Sequence, residues 1–146
     1  MPQSHTSPHA LPIRIIYADT DAAGVVYHAN YLRYFESGRT EFVRDRICSG
    51  REFAQYGIVL VVTESWMRYK APAFYDDLII VETFLTSISR VKCRFSYKIF
   101  RDEGKRRKLL VKGYTDLAPV TGEGRLTRIP ADLLNRMTPL LQVETS

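Results

Sequence analysis

One long segment of the chain has the apolar spacing of a helix, and most of the rest has the spacing of strands. Between residues 28 and 47, apolar or small residues recur three and four positions apart, at Tyr31, Leu32, Phe35, Gly38, Phe42, Val43 and Ile47. This spacing predicts a helix of about five turns that lies on a sheet. Gly38 lowers its helix propensity by about 1 kcal/mol relative to alanine, so it either permits close approach of another backbone or is simply tolerated.

The predicted strands are joined by short turns. A β-rich run from Ile13 breaks at the Asp-Ala-Ala-Gly turn that contains Gly24, and further strands are predicted at residues 58–69, 78–88, 91–99 and 109–120. Strict alternation over residues 91–99 predicts a strand with one buried and one exposed face. Pro130 is expected in the first turn of a short C-terminal helix.

The order of these elements predicts an α+β fold, in which one face of an antiparallel sheet packs against one long helix. Residues 1–11 lack periodicity and contain Pro2 and Pro8, so we expect a flexible tail, a single domain over residues 12–140 and a C-terminal tail over residues 141–146. Because an open sheet has exposed edges, two copies are expected to pair as a homodimer or a higher assembly of dimers.

The composition is that of one globular domain. The 146 residues are 45% hydrophobic, enough for a core without disulfide support. No run of about 18 apolar residues is present, so neither membrane insertion nor a signal segment is predicted. Cys48 and Cys93 are widely separated and belong to no metal-binding pattern. These features favour a cytoplasmic protein with no metal site.

The formal net charge of +5 favours an anionic partner, which could be nucleic acid, a membrane surface or a small polyanion such as a nucleotide. The densest basic cluster, residues 105–108, lies at a predicted hairpin tip. Aromatic residues do not interleave with it, as base stacking would require. We interpret the cluster as a solvated turn and predict no nucleic-acid binding.

Residue types that can take part in catalysis or ligand binding are concentrated where the first strand turns into the long helix. They are Tyr17, Asp19, Asp21, Gly24, Tyr27, His28 and Asn30. The first N–H groups of a helix can hold a developing oxyanion, and a carboxylate in the preceding turn can act as nucleophile or general base. Asp19 and Asp21 should face the same side of an extended segment. Both could instead cap the helix, and His28 could be a base or a hydrogen-bonded wall residue.

Residues 17–36, YADTDAAGVVYHANYLRYFE, resemble the signature of hot-dog-fold thioesterases of the 4-hydroxybenzoyl-CoA thioesterase and YbgC type. Residues 69–77, YKAPAFYDD, and residues 128–133, RIPADL, are also similar to that family. The resemblance implies an antiparallel sheet of five or six strands wrapped around the long helix. It also implies active sites at the interface of a homodimer, which is expected to assemble into a homotetramer.

The resemblance implies that Asp21 is the catalytic carboxylate and that the backbone N–H of His28 polarises the thioester carbonyl. The imidazole of His28 would line the channel and tune the reaction. The remaining substrate-binding residues implied are Tyr17, Asp19, Gly24, Tyr27, Asn30 and Tyr31. Arg90 and Lys92, with Arg125, match positions that meet the phosphates of coenzyme A (CoA).

The expected activity is hydrolysis of an acyl-CoA to free CoA and a short aliphatic or aromatic acid, without a cofactor. Candidate pocket residues are Tyr31, Phe35, Phe53, Tyr56, Val59 and Trp66. Three alternatives stay open at this point: a hot-dog dehydratase with His28 as base, a non-catalytic module that binds acyl-CoA or acyl carrier protein, and a structural accessory protein.

Overall fold

An antiparallel sheet of five strands and three α-helices make up residues 7–143, the part of the chain that the computed structural model describes. The strands are β1 (His9–Arg14), β2 (Ile58–Tyr69), β3 (Leu78–Ile88), β4 (Cys93–Asp102) and β5 (Arg107–Thr121). The helices are α1 (Asn30–Arg46), α2 (Gly50–Ala54) and α3 (Ala131–Met137). The sheet order β1-β3-β4-β5-β2 leaves β1 and β2 at the two edges. This architecture confirms the predicted α+β hot-dog fold.

The predicted bounds of the strands agree with the structure in the middle of the chain and less well at its start. β2 and β3 occupy residues 58–69 and 78–88, as predicted. β1 instead begins at His9, which pairs with Thr83 of β3, so the strand start predicted at Ile13 was too late. At the other end, the amide of Gln142 donates to the carbonyl of Leu85 at 2.9 Å. Residues 1–6 and 144–146 of the predicted tails lie outside the described residues.

The long helix packs against the middle of the sheet through aromatic side chains. Phe35 stacks on Tyr97 with ring centroids 4.2 Å apart, and Phe42 meets Phe95 edge-on at 5.5 Å. Gly38 lies directly over β3, where a Cβ atom would be 2.6 Å from Oγ1 of Thr83. Of the two roles expected for Gly38, the structure therefore supports close approach, although the neighbours are sheet side chains rather than another backbone.

The outer face of β4 is more covered than the alternating pattern predicted. Ser96 and Lys98 are buried, and Arg94 lies with its guanidinium carbon 3.7 Å from the centroid of the Tyr114 ring. Long side chains from neighbouring strands cover this face, because their aliphatic and aromatic parts lie flat on it. The prediction that this face is exposed was therefore wrong for the centre of β4.

Two short helices complete the domain. α2, which was not predicted, begins with a capping box in which Ser49 and Glu52 bond each other's backbone amides. α3 starts after Pro130, which occupies the N-cap position rather than the first turn. No helix within residues 7–143 combines the length and apolarity needed to cross a membrane.

Candidate active site

Asp21 opens a tight turn on the surface between β1 and α1. Its amide donates to the carbonyl of Val25 at 2.8 Å, and the amide of Gly24 donates back to the Asp21 carbonyl at 2.9 Å. Gly24 has a φ of +84°, which a residue with a side chain rarely adopts. The Asp21 carboxylate is exposed, and its Oδ1 accepts the amide of Ala23 at 2.9 Å. Its Oδ2 has no hydrogen-bond partner within residues 7–143, so one oxygen fixes the carboxylate and the other is available.

Asp19 faces inward, because a 3₁₀ turn over Tyr17–Asp19 interrupts the extended segment. Its Oδ2 accepts the hydroxyl of Tyr34 at 2.7 Å, and its Oδ1 accepts Nη1 of Arg33 at 3.1 Å. Burial, reinforced by the hydrogen bond to Asp19, raises the pKa of Tyr34 well above its ordinary value. The expectation that Asp19 and Asp21 face the same side was wrong. Asp19 ties the turn to α1 through these two bonds, and its predicted role in substrate binding stays a prediction.

Two backbone amides immediately before the first turn of α1 are open. Ala29, the N-cap residue, is itself in a helical conformation, and no side chain caps the helix. The amides of His28 and Ala29 have no acceptor among residues 7–143, whereas the Asn30 amide donates to the Tyr27 carbonyl at 2.9 Å. A helix N-terminus carries about half a positive elementary charge. These two N–H groups can therefore bind a developing negative charge.

The Asp21 turn folds back onto this helix start. Thr20 pairs with Val26, and the amide of Tyr27 donates to the Asp19 carbonyl at 2.9 Å. The side chain of Asn30 donates to the same carbonyl at 2.9 Å. Asn30 thus fixes the geometry of the turn, and its predicted contact with substrate stays a prediction.

Aromatic rings form a wall beside the open amides. The His28 ring is exposed, lies 4.5 Å from the Tyr27 ring and meets the Tyr69 ring edge-on at 6.3 Å. The Tyr69 hydroxyl donates to the His28 carbonyl at 3.1 Å, which ties the helix start to the end of β2. Burial raises the pKa of Tyr69. The His28 ring forms no hydrogen bond within residues 7–143, so it is not paired with Asp21.

Two other tyrosines predicted near the substrate occupy different environments. Tyr31 is buried in the core, where its ring contacts those of Tyr34 and Tyr69, and burial raises its pKa. It is therefore a core residue in this chain. Tyr17 is 76% exposed and packs edge-on against Tyr75 at 5.7 Å. Tyr17 lies beside the Asp21 turn and is accessible to a ligand.

The basic residues predicted to meet CoA separate into two environments. Arg90 lines a cavity of about 470 Å³ together with Arg128, and the amide of Ile129 donates to the Arg90 carbonyl at 2.7 Å. Lys92 instead approaches the buried carboxylate of Asp116 at 3.3 Å. Hydrogen bonds from Arg94 hold the pKa of Asp116 below its ordinary value despite burial. Arg125 lies in the turn after β5 and does not line the cavity of Arg90.

Arg128 is a candidate ligand-binding residue that sequence reasoning did not select. It is the first residue of RIPADL, a segment similar to the family, and this similarity could have marked Arg128 as a candidate. The structure also contains a cavity of about 580 Å³ between α1, α2 and the start of β2. Of the predicted pocket residues, Phe53 and Val59 line it. Trp66 lies on the outer face of the sheet, stacked on Tyr114.

Comparison with known proteins gives concordant results. The profile of the Thioesterase-like superfamily matches residues 17–137. The acyl-CoA thioester hydrolase YbgC of Escherichia coli O6:H1 is 37% identical over 92 residues, which are 63% of this chain and 69% of that protein. The crystal structure of a hypothetical protein from Aquifex aeolicus has a TM-score of 0.80 at 32% identity and covers 90% of this chain and 100% of its own.

The crystal structure of a 4-hydroxybenzoyl-CoA thioesterase mutant with 4-hydroxybenzoyl-CoA shares the fold. Its TM-score is 0.79 at 20% identity, over 87% of this chain and 96% of its own. The sequence match and the common fold agree with the five-stranded sheet and long helix described above. The chain therefore belongs to the thioesterase-like superfamily and is a hot-dog thioesterase of the YbgC and 4-hydroxybenzoyl-CoA thioesterase type.

Proposed function

We propose that this thioesterase hydrolyses acyl-CoA, releasing free CoA and a carboxylic acid, at the turn of Asp21 beside the first residues of α1. One observation carries the proposal: an exposed carboxylate, fixed through one oxygen, is folded against a helix start with two open amides. The name of the E. coli relative, an acyl-CoA thioester hydrolase, supports CoA as the carrier.

Asp21 supplies the chemistry in one of two ways. As a nucleophile, its carboxylate forms a bond to the thioester carbon, the C–S bond breaks and CoA thiolate leaves; water then hydrolyses the mixed anhydride. As a general base, it takes a proton from the water that attacks the same carbon, and the acid and CoA are released directly. Both routes place negative charge on the carbonyl oxygen, which the amides of His28 and Ala29 would bind.

The His28 ring and the tyrosines beside it would shape the channel rather than transfer protons. The ring lies between Tyr27 and Tyr69 and forms no hydrogen bond to a carboxylate within residues 7–143. A histidine base is normally oriented by such a bond. This arrangement favours hydrolysis over a dehydratase mechanism based on His28.

The CoA phosphates would bind at the cavity shared by Arg90 and Arg128. Neither guanidinium forms an ion pair within residues 7–143, so both are available to an anion. The apolar side chains of Ile129 and Leu134 line the same cavity and would cover part of the nucleotide. Lys92 and Arg125 would contribute less, since Lys92 is paired with Asp116.

The active assembly would be a homodimer joined through β2, with pairs of dimers forming a tetramer. β2 is an edge strand and exposes Val59, Val62, Trp66 and Tyr69. Pairing this edge with a second copy would cover apolar surface and satisfy unpaired backbone groups. Tyr69 contacts His28, so such an interface would reach the active site.

Substitution of Asp21 by asparagine tests the proposal. Asparagine keeps the oxygen that accepts the Ala23 amide, so the turn should persist while the charge is removed. We expect kcat to fall by about 10²- to 10⁴-fold, measured as release of CoA thiol from a panel of aliphatic and aromatic acyl-CoAs.

Asp76→Asn is the matched control. Asp76 is an exposed aspartate with a φ of 71°, and asparagine tolerates that conformation. This variant should retain normal turnover. Near-normal turnover by Asp21→Asn would remove Asp21 from the mechanism. Hydration of an enoyl-CoA without thiol release would favour the dehydratase class.

A further inference from the structure

The cavity of about 580 Å³ between α1 and the start of β2 has an apolar wall and a cationic floor. Its apolar lining comes from Val43, Phe53, Ile58, Val59 and Leu60. Arg39, Thr40 and Glu36 of α1 supply most of the polar lining, and Arg44 is already bonded to Glu41. The volume is in the usual range for a small-molecule site.

Arg39 is held rigidly in this cavity. Its Nη1 donates to the hydroxyl of Tyr97 at 2.9 Å and to Oγ1 of Thr115 at 3.4 Å. Tyr97 and Thr115 are fully buried in the sheet, and they hydrogen-bond each other at 2.7 Å. The guanidinium therefore lies against the sheet. Its Nε and Nη2 form no hydrogen bond within residues 7–143.

The charge of Arg39 has no counterion in the described part of the chain. No carboxylate of residues 7–143 forms an ion pair with it. Glu36, the one acid among the described residues lining the cavity, is exposed. A partly buried charge is costly unless it is paired. Within residues 7–143 the Arg39 guanidinium therefore lacks a paired carboxylate, and an apolar cavity opens beside it.

We propose that this cavity receives the acyl tail and that Arg39 pairs there with a carboxylate at the far end of the tail. The preferred substrates are thus acyl-CoAs whose acyl group ends in an acid. This inference rests on the proposed acyl-CoA hydrolysis and specifies its substrate class. The methylene chain packs on Phe53 and Leu60, and the terminal carboxylate accepts hydrogen bonds from Nε and Nη2 of Arg39.

The position of Arg39 makes the preference for acid-ended substrates depend on the length of the acyl tail. Arg39 lies nine residues after Asn30, which is about 14 Å along α1. A tail that starts at the helix N-terminus of the same chain must be long to reach it. Antiparallel pairing of two β2 edges would instead bring Val59 of one copy near Tyr69 of the other, and a shorter tail would then suffice.

The test compares matched acyl-CoAs on the full-length chain. Glutaryl-, adipoyl-, suberoyl- and sebacoyl-CoA are each paired with the neutral acyl-CoA of equal carbon number, and kcat/KM is measured from thiol release. We expect the acid-ended substrate to exceed its neutral partner by about tenfold at one or more lengths, because a charge-assisted hydrogen bond replaces solvent.

Hydrolysis of the neutral series without any preference for the acids would overturn this inference and leave the proposed function intact. Failure to hydrolyse any acyl-CoA would instead contradict the proposed function. The two failures are therefore distinguishable in one assay.

Variants at two positions separate ligand recognition from folding. Arg39→Met should reduce the acid-to-neutral ratio of kcat/KM to about one, and Arg39→Lys should restore part of it. Arg39 also ties α1 to the sheet, so thermal unfolding is followed in parallel. Thr40→Glu leaves those hydrogen bonds in place and supplies an internal carboxylate, so it should also abolish the preference. Thr40→Gln, of similar size, should keep it; equal ratios for these two Thr40 variants would refute the role of charge.

Discussion

Replacing Gly38 by alanine tests how tightly α1 is seated on the sheet. The added Cβ would lie 2.6 Å from Oγ1 of Thr83 and 2.8 Å from Cγ1 of Val81, both shorter than real Cβ contacts. Alanine improves helix propensity by about 1 kcal/mol relative to glycine. Overpacking a tight core position costs about 1 to 3 kcal/mol. The expected net result is a loss of about 1 kcal/mol in the free energy of unfolding.

Equilibrium unfolding in urea measures this change. Ser37→Ala is the matched control, because residue 37 is the exposed neighbour of Gly38 in the same helix and the change only improves propensity. It should raise the free energy of unfolding by about 0.5 kcal/mol or less.

A double-mutant cycle locates the clash. Thr83 is fully buried and its hydroxyl has no hydrogen-bond partner within residues 7–143, so Thr83→Ala removes the closest contact without breaking a bond. Gly38→Ala should therefore cost less in the Thr83→Ala background, by about 1 kcal/mol. A Gly38→Ala variant more stable than the wild type, or additive changes in the cycle, would refute the close-packing argument.

Three further outcomes follow from charge and edge exposure. Asp116→Asn should lower the free energy of unfolding, measured in urea, by about 1 to 2 kcal/mol, since Arg94 loses a buried but partly solvent-screened partner. Arg94 lowers the pKa of Asp116, so the stability difference between wild type and variant should shrink as the pH falls below the ordinary pKa of 3.8. Burial and Asp19 raise the pKa of Tyr34, so stability should fall as the pH rises above 10.0, and less steeply in Tyr34→Phe. Val62→Lys, at the β2 edge, should lower the light-scattering mass of the assembly, which for the proposed tetramer is about four times 16.8 kDa; a monomeric wild type would contradict edge pairing.

The long helix and the inner strands were predictable because their periodicity extends over many residues. In α1, buried positions recur three or four residues apart along much of its 17 residues. β2 and β3 contain long β-rich runs separated by a turn with Pro72. α2 has only five residues, too few to show a period, and it forms because its capping box closes around Ser49. β1 was placed too late because Pro8 and Pro12 made its start look irregular, although an edge strand tolerates proline.

The candidate site was predictable in residue type but not in direction. The motif predicted a turn at Asp21 followed by a helix start, and the structure has both. It could not show that the 3₁₀ turn rotates Asp19 inward, because that turn depends on Tyr34 and Arg33 of α1 as partners. Arg39 was not selected either, since one arginine on a helical pattern gives no sign that its counterion is missing. These features depend on tertiary contacts that no local window contains.

The start of α1 has a consequence for engineering this enzyme. Adding a capping side chain at residue 29, for example Ala29→Asp, would normally stabilise a helix by about 1 kcal/mol. Here the new carboxylate would lie next to the open amides of His28 and Ala29 and would repel the negative charge that develops on the thioester oxygen. Thermal tolerance and turnover should therefore change in opposite directions at this position, a trade-off in which the bare helix end is the cost of keeping catalysis possible.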